Sequence, residues 1–151
     1  MNINQANLFR LRLENLTFTW PSGKMALDRC NLSIKEPGLW MIVGNNGSGK
    51  STLFRVISGI LKAESGIINC NLKSCLVFQN PDHQLLLPTC NSDLILSCSR
   101  HLSRKECFMR IETALKEVDM EGMGSRPIHT LSGGQKQRLA LAGALVSEST
   151  L

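Results

Sequence analysis

An α/β fold is predicted, with a β-rich first half, one buried core strand and a helical second half. Three observations predict it. Residues 39–43 are a continuous apolar run closed by Gly38 and Gly44, the pattern of a strand buried on both faces. A glycine-rich loop and a run of apolar residues at helical spacing follow directly. After Asn80 strand signals stop, and as far as Thr130 only helical patterns remain. The 151 residues, 42% hydrophobic and 19% charged, suffice for one core with the balance of a globular domain.

The elements follow in order. Residues 10–18 alternate Leu11, Leu13 and Leu16 imperfectly with polar neighbours, and Cys30, Leu32 and Ile34 alternate cleanly. Both segments read as half-exposed strands, with a turn between them at Pro21, Ser22 and Gly23. From Ser51 to Leu61, the residues Leu53, Phe54, Ile57, Ile60 and Leu61 predict a helix with one buried face, weakened near its end by Gly59. Residues 66–70 and 75–78 are short β-prone runs, the second ending at Gln79. A short helix is expected from Asp93 to Ser99. Ser103 and Glu106 form a capping box that opens a longer one, with Phe108, Ile111, Leu115 and Val118 on a single face running to about Met120. Gly122, Gly124 and Pro127 break it, and Leu139, Leu141, Ala142, Leu145 and Val146 predict a final helix.

Composition excludes several classes. No apolar stretch approaches the roughly 20 residues of a membrane-spanning helix, and the polar start at residues 2–7 does not look like a signal peptide. The six cysteines show no CxxC pair and no histidine at metal-ligand spacing, so reduced, mostly buried thiols are expected. The net charge of +5 is uneven: nine Lys/Arg face four Asp/Glu in residues 1–75, and eight face eight afterwards. The excess lies in the half with the glycine-rich loop, which suits an anionic ligand. Basic clusters interleaved with aromatics are absent, so nucleic acid is not expected.

Two motifs carry chemistry. Gly44, Asn45, Asn46, Gly47, Ser48, Gly49, Lys50, Ser51 and Thr52 match G-x-x-x-x-G-K-[ST], after an expected strand and before an expected helix. Phosphate oxygens require several inward-turned backbone N–H groups, hence positions without side chains, which Gly44, Gly47 and Gly49 supply. The following helix points its positive end at the phosphates, Lys50 adds a charge toward the β and γ groups, and Ser51 offers a hydroxyl to Mg²⁺. The second motif is Leu131, Ser132, Gly133, Gly134 and Gln135. Ser132 is placed to cap the next helix, and the two glycines leave amides open to an anion. Alone, it reads as a second phosphate site or as an ordinary glycine-rich turn.

Together these motifs, in this order and with a helical stretch between Gln79 and Ser132, resemble the ABC transporter ATPases. Gly44 to Thr52 is similar to their Walker A loop, Gln79 to their Q-loop residue, and Leu131 to Gln135 to their LSGGQ signature. The resemblance implies a P-loop NTPase fold of ABC type: N-terminal antiparallel strands, a parallel-sheet core and a helical subdomain, incomplete at the C-terminus. It implies one partial nucleotide-binding domain over 1–151, divided into a β-rich core at 1–79, a helical subdomain at about 80–130, and the signature with its helix at 131–151. It implies ATP stacked on Trp20 and bound by residues 44–52, with Lys50 and Gln79 catalytic and Mg²⁺ held by Ser51 and Gln79. Ser132, Gly133, Gly134 and Gln135 would act in trans, on the nucleotide of a second ATPase domain paired head to tail as a homo- or heterodimer.

Residues 77–85, with Gln79, Asn80, Pro81, Asp82, Gln84 and Leu85 in the pattern Q-N-P-D-x-Q-L, look like the energy-coupling-factor and cobalt-type importer ATPases, and Ala142 with Gly143 points the same way. That implies an ATP-binding subunit energising import of vitamins or metal ions, peripheral to the cytoplasmic or plastid stromal face of a membrane beside a transmembrane subunit. The family's Walker B Asp, catalytic Glu and switch His have no counterpart in residues 1–151, so the chain is expected to be a truncated form that binds ATP without efficient turnover, and one of low stability by itself. A soluble non-transport ABC ATPase and a non-catalytic nucleotide-binding fragment are the alternatives.

Overall fold

The computed structural model describes residues 10–147, so the polar segment at residues 2–7 and the end of the signature segment lie outside the described residues. The chain divides into two compact units at Ser74 and Cys75.

The first unit is a three-stranded antiparallel sheet with one helix: β1 (Leu11–Thr19), β2 (Met25–Ile34), α1 (Lys50–Ile57) and β3 (Ser65–Cys70), in sheet order β2-β1-β3. Both expected strands form, and the imperfect alternation of the first has a physical cause. Leu11 and Leu13 are buried, then Leu16 and Phe18, so the inward parity switches at Asn15. There the register with both neighbours shifts, and Asn15 has a left-handed φ of 47°. The bulge is satisfied from β2: Asn15 donates its N–H to Asn31 Oδ1 at 3.0 Å, and Arg29 donates its own to Thr17 Oγ1 at 3.3 Å. Gly66 of β3 passes so close that a Cβ there would lie 2.6 Å from the Asn15 carbonyl oxygen, and its φ is +99°. The turn expected at Pro21, Ser22 and Gly23 is present, closed by Trp20 N–H on the Lys24 carbonyl at 2.9 Å.

Four expectations fail among the described residues, in this unit and at the start of the next. Residues 39–43 form no strand: Leu39 is 98% exposed and Met41 80%, and among the described residues no strand pairs with them, so the run has no apolar surface to enter. Residues 75–78 likewise stay outside any sheet, and the parallel-sheet core does not form among the described residues. A run buried on both faces gains its stability only from neighbours on both sides, whereas β1 finds β2 through a short turn. Finally, α1 stops at Ile57 rather than Leu61, because Gly59 adopts a φ of 76°, and Val56 and Thr52 are its buried residues while Phe54 and Ile60 face out.

The second unit packs three helices, α2 (Cys90–Ile95), α3 (Arg104–Glu117) and α4 (Gly133–Val146), with 3₁₀ turns at Pro81–His83 and Ile128–Thr130. Each helix opens with a reciprocal capping box: Thr89 with Ser92, Ser103 with Glu106, and Ser132 with Gln135. Only the second was expected as a box; α2 begins three residues before the expected start because Thr89 caps it. Cys90, Leu94, Ile111, Leu115, Met120, Leu139 and Val146 form its core. The face expected on α3 is rotated: Cys107 and Ala114 join Ile111 and Leu115 inside, while Phe108 is exposed. On α4, Ala140 and Gly143 are buried and Leu141 and Leu145 exposed.

The expectation of six reduced cysteines is corrected. Cys98 and Cys107 are joined in a disulfide, their Cα atoms 5.9 Å apart, where the chain leaving α2 turns into the first turns of α3. Nine intervening steps of sequence gave no pairing signal. Cys30, Cys70, Cys75 and Cys90 are free thiols, of which Cys90 is fully buried, and burial pushes its thiol up from the ordinary range.

Candidate functional site

The glycine-rich loop belongs to the first unit. Gly47 and Gly49 have φ of 80° and 89°, the left-handed conformation that turns consecutive N–H groups toward one side. Gly44 does not share it; its need is for space, since a Cβ would lie 2.9 Å from Ser48 Oγ. Gly49 has a second constraint, because a Cβ would run into the Ala26 carbonyl of β2. That close approach seats the loop on the sheet. Lys50 reaches back over the loop and donates to the carbonyls of Gly44 at 2.8 Å and Asn45 at 2.7 Å. Its ammonium is thereby held at the loop's mouth.

At the start of α1, Gly49 supplies no side-chain cap and no acid stands in the first turn. The N-terminal N–H groups and the positive end of the helix are left for an anion. Thr52 is buried and Ser51 exposed, so Ser51 has the hydroxyl that faces outward. Asn45, Asn46, Gly47 and Ser48 are exposed along the loop. Trp20 directly follows β1 and Gly49 rests on Ala26 near the start of β2, so both lie at the hairpin end of the sheet. The indole is half-buried and meets Phe18 edge to face, centroids 5.1 Å apart.

The remaining residues of interest sit in the second unit. Ser132, Gly133 and Gly134 are exposed at the N-terminus of α4, and nothing lies within 4 Å of a Cβ built on either glycine. The Gln135 side chain does not point outward: its Oε1 accepts the Ser132 N–H at 2.9 Å, and the Ser132 hydroxyl accepts the Gln135 N–H at 3.2 Å. Gln79 is exposed, just before the Pro81–His83 turn. Sequence reasoning missed what surrounds it. Lys136 pairs with Asp82 at 2.6 Å, and Gln84 Oε1 accepts the Phe78 N–H at 3.2 Å. Their only signal was that Asp82 and Gln84 recur in the Q-N-P-D-x-Q-L pattern.

The "ABC transporter" family model matches residues 27–151. The chain is 43% identical over 118 residues to "ABC transporter I family member 10" of Arabidopsis thaliana, covering 77% of this chain and 44% of that protein. It is 41% identical over 152 residues to the energy-coupling factor transporter ATP-binding protein EcfA of Carboxydothermus hydrogenoformans, covering 91% and 56%. Among solved structures, cbiO1 from Clostridium perfringens, described as part of the ABC transporter complex cbiONQ, superposes with a TM-score of 0.77 at 36% identity, covering 93% of this chain and 62% of that one. The chain thus spans about half the length of the curated relatives it matches. The shared fold is that of the ABC ATPase cassettes, of which this chain covers part, and with the family model spanning most of its residues, the chain belongs to the ABC transporter family.

Proposed function

We propose that this chain is the nucleotide-binding part of an ATP-binding subunit that energises a membrane importer of the energy-coupling-factor type, carrying vitamins or metal ions. The observation that carries the reading is the loop itself: left-handed Gly47 and Gly49, the Lys50 ammonium held over the loop carbonyls, and an uncapped N-terminus of α1. Lys50 meets the β and γ phosphates, the loop amides bind them, and the Trp20 indole, which needs only a π-face, stacks on adenine. The exposed Ser51 hydroxyl is a fitting oxygen ligand for Mg²⁺, which would supply charge neutralisation at the phosphates.

Ser132, Gly133, Gly134 and Gln135 serve the nucleotide of a second such domain, and their open amides at the start of α4 support that role. No helix among the described residues is long and apolar enough to cross a membrane, which agrees with a peripheral subunit docked on a transmembrane partner at the cytoplasmic or stromal face. By itself the chain binds ATP without efficient turnover. Of its aspartates, Asp82 pairs with Lys136, Asp93 accepts the N–H groups of Leu86 and Leu87, and Asp119 sits in a left-handed turn.

Titration of the chain with a fluorescent ATP analogue tests the site. Lys50→Ala is expected to weaken binding by about tenfold or more, the loss of charge-assisted hydrogen bonds to phosphate. Affinity unchanged by the substitution would place the nucleotide elsewhere.

A further inference from the structure

The segment that carries Gln79 is a closed turn. At one end the Phe78 N–H is held by Gln84 Oε1 at 3.2 Å, and at the other Pro81 is buried and its carbonyl accepts the N–H groups of Gln84 at 2.9 Å and Leu85 at 3.0 Å. Between them Asn80 Oδ1 accepts the Asp82 N–H at 3.0 Å, capping the turn from within. Gln79 therefore projects from a backbone fixed on both sides. The turn is in turn tied to α4, because Asp82 Oδ1 meets Lys136 Nζ at 2.6 Å.

Lys136 is unusually placed. It lies in the opening turn of α4, where the positive end of the helix disfavours a cation, and no acid of that first turn offsets it. Asp82, 54 residues earlier in the chain, supplies the missing negative charge. The Lys136 side chain is only 20% exposed, so few other directions are open to it. Its own N–H belongs to Ser132 through the first helical bond at 2.9 Å, and Ser132 and Gln135 close the capping box. A continuous path of contacts thus leads from the turn under Gln79 to Ser132, within one compact unit.

We propose that Asp82 and Gln84 are positioning residues that hold Gln79 in fixed register with the signature helix, Asp82 through its ion pair with Lys136 and Gln84 through the Phe78 N–H. The functional weight of this rests on the reading that Gln79 and Ser132 both serve nucleotide. Two partly exposed ions add little to global stability, so the contribution of the pair is geometric. It makes the two motifs move as one body.

The test is amide hydrogen exchange across the full chain in Asp82→Asn, Lys136→Met, Gln84→Ala and the charge-swapped double variant Asp82→Lys/Lys136→Asp. Exchange at residues 79–85 and 132–136 is expected to quicken by about threefold in the Asp82 and Lys136 single variants, to return toward the parent rate in the swap, and to leave residues 111–115 of α3 unchanged. Gln84→Ala is expected to quicken residues 78–85 alone. Unchanged rates at residues 79–85, a swap no slower than the single variants, or acceleration spread equally into α3 would each overturn the proposal. The readout needs no nucleotide, so it stands or falls separately from Lys50→Ala: indifference of ATP binding to Lys50 would remove the functional reading and leave the coupling intact.

Discussion

The two units solve the burial problem in different ways. In residues 75–147, each helix carries its own start signal and buries its own stripe, and Leu94, Ile111, Leu115, Met120 and Leu139 are all essentially inaccessible. In residues 10–74, the sheet buries Leu11, Leu13 and Leu16, yet the most apolar run of the segment stands in solvent with Leu39 98% exposed. The difference is one of range. A capping box acts over three residues and an apolar helix stripe over a few turns, whereas a strand buried on both faces needs partners on both edges. The glycine-rich loop sits directly between that unpaired run and α1, so the candidate phosphate site is built on the less closed unit.

The largest test of this contrast is a cavity in the helical unit. Leu115 is fully buried among the packed helices, and Leu115→Ala is expected to cost about 2–5 kcal/mol in denaturant unfolding followed at 222 nm. A loss under about 1 kcal/mol would mean that the helical unit is loosely packed, and the contrast would go.

A smaller effect isolates local from tertiary stabilisation. Hydrogen bonding from the Ser103 side chain, and secondly from its backbone N–H, holds the Glu106 carboxyl below the usual carboxylate range. A carboxyl lowered on folding contributes stability that is complete above its unfolded value, near pH 4.3, and that is lost as pH falls through the lower folded value. Ser103→Ala removes a cap worth about 1 kcal/mol. The gap between parent and variant is therefore expected to be widest above about pH 4.3 and to narrow on acidification, read from melting at a series of pH values. A gap that widened in acid would contradict the box as the source.

Legibility followed the same division. The Ser103 and Glu106 box, the Pro21–Gly23 turn and the glycine loop were readable because each is a short-range instruction with a named physical role. The strand at 10–18 was readable but its irregularity was not explicable until Asn15, Asn31 and Gly66 were seen together, residues 16 and 51 positions from the first. The bond between Cys98 and Cys107 had no spacing signature, and the Asp82 and Lys136 pair spans 54 residues, beyond any periodicity. On α3 and α4 the helices are legible and Ile111, Leu115, Leu139, Ala142 and Val146 face inward as expected, but the bulky Phe108, Leu141 and Leu145 are exposed while the smaller Cys107, Ala114 and Gly143 take the space between helices. At the candidate site, the left-handed Gly47 and Gly49 follow from the glycine spacing, whereas Gln135 turning back onto Ser132 has no such signal.

The smallest expected effect bears on the exposed run itself. Leu39→Ser replaces a side chain that is 98% exposed, so in this chain it removes almost no buried area, and a change under about 0.5 kcal/mol is expected for a surface substitution with no special backbone role. Trp20 and Trp40 are the two tryptophans, both in residues 10–74, so denaturant unfolding followed by tryptophan fluorescence reports on the right unit. The same substitution in a strand buried on both faces would open a cavity and place a hydroxyl in it, costing about 2 kcal/mol or more. The two outcomes differ by enough to separate cleanly. A large loss would show that residues 39–43 find a partner in solution, and the loop that follows them would then be seated as firmly at its first residue, Gly44, as it is at Gly49 against Ala26.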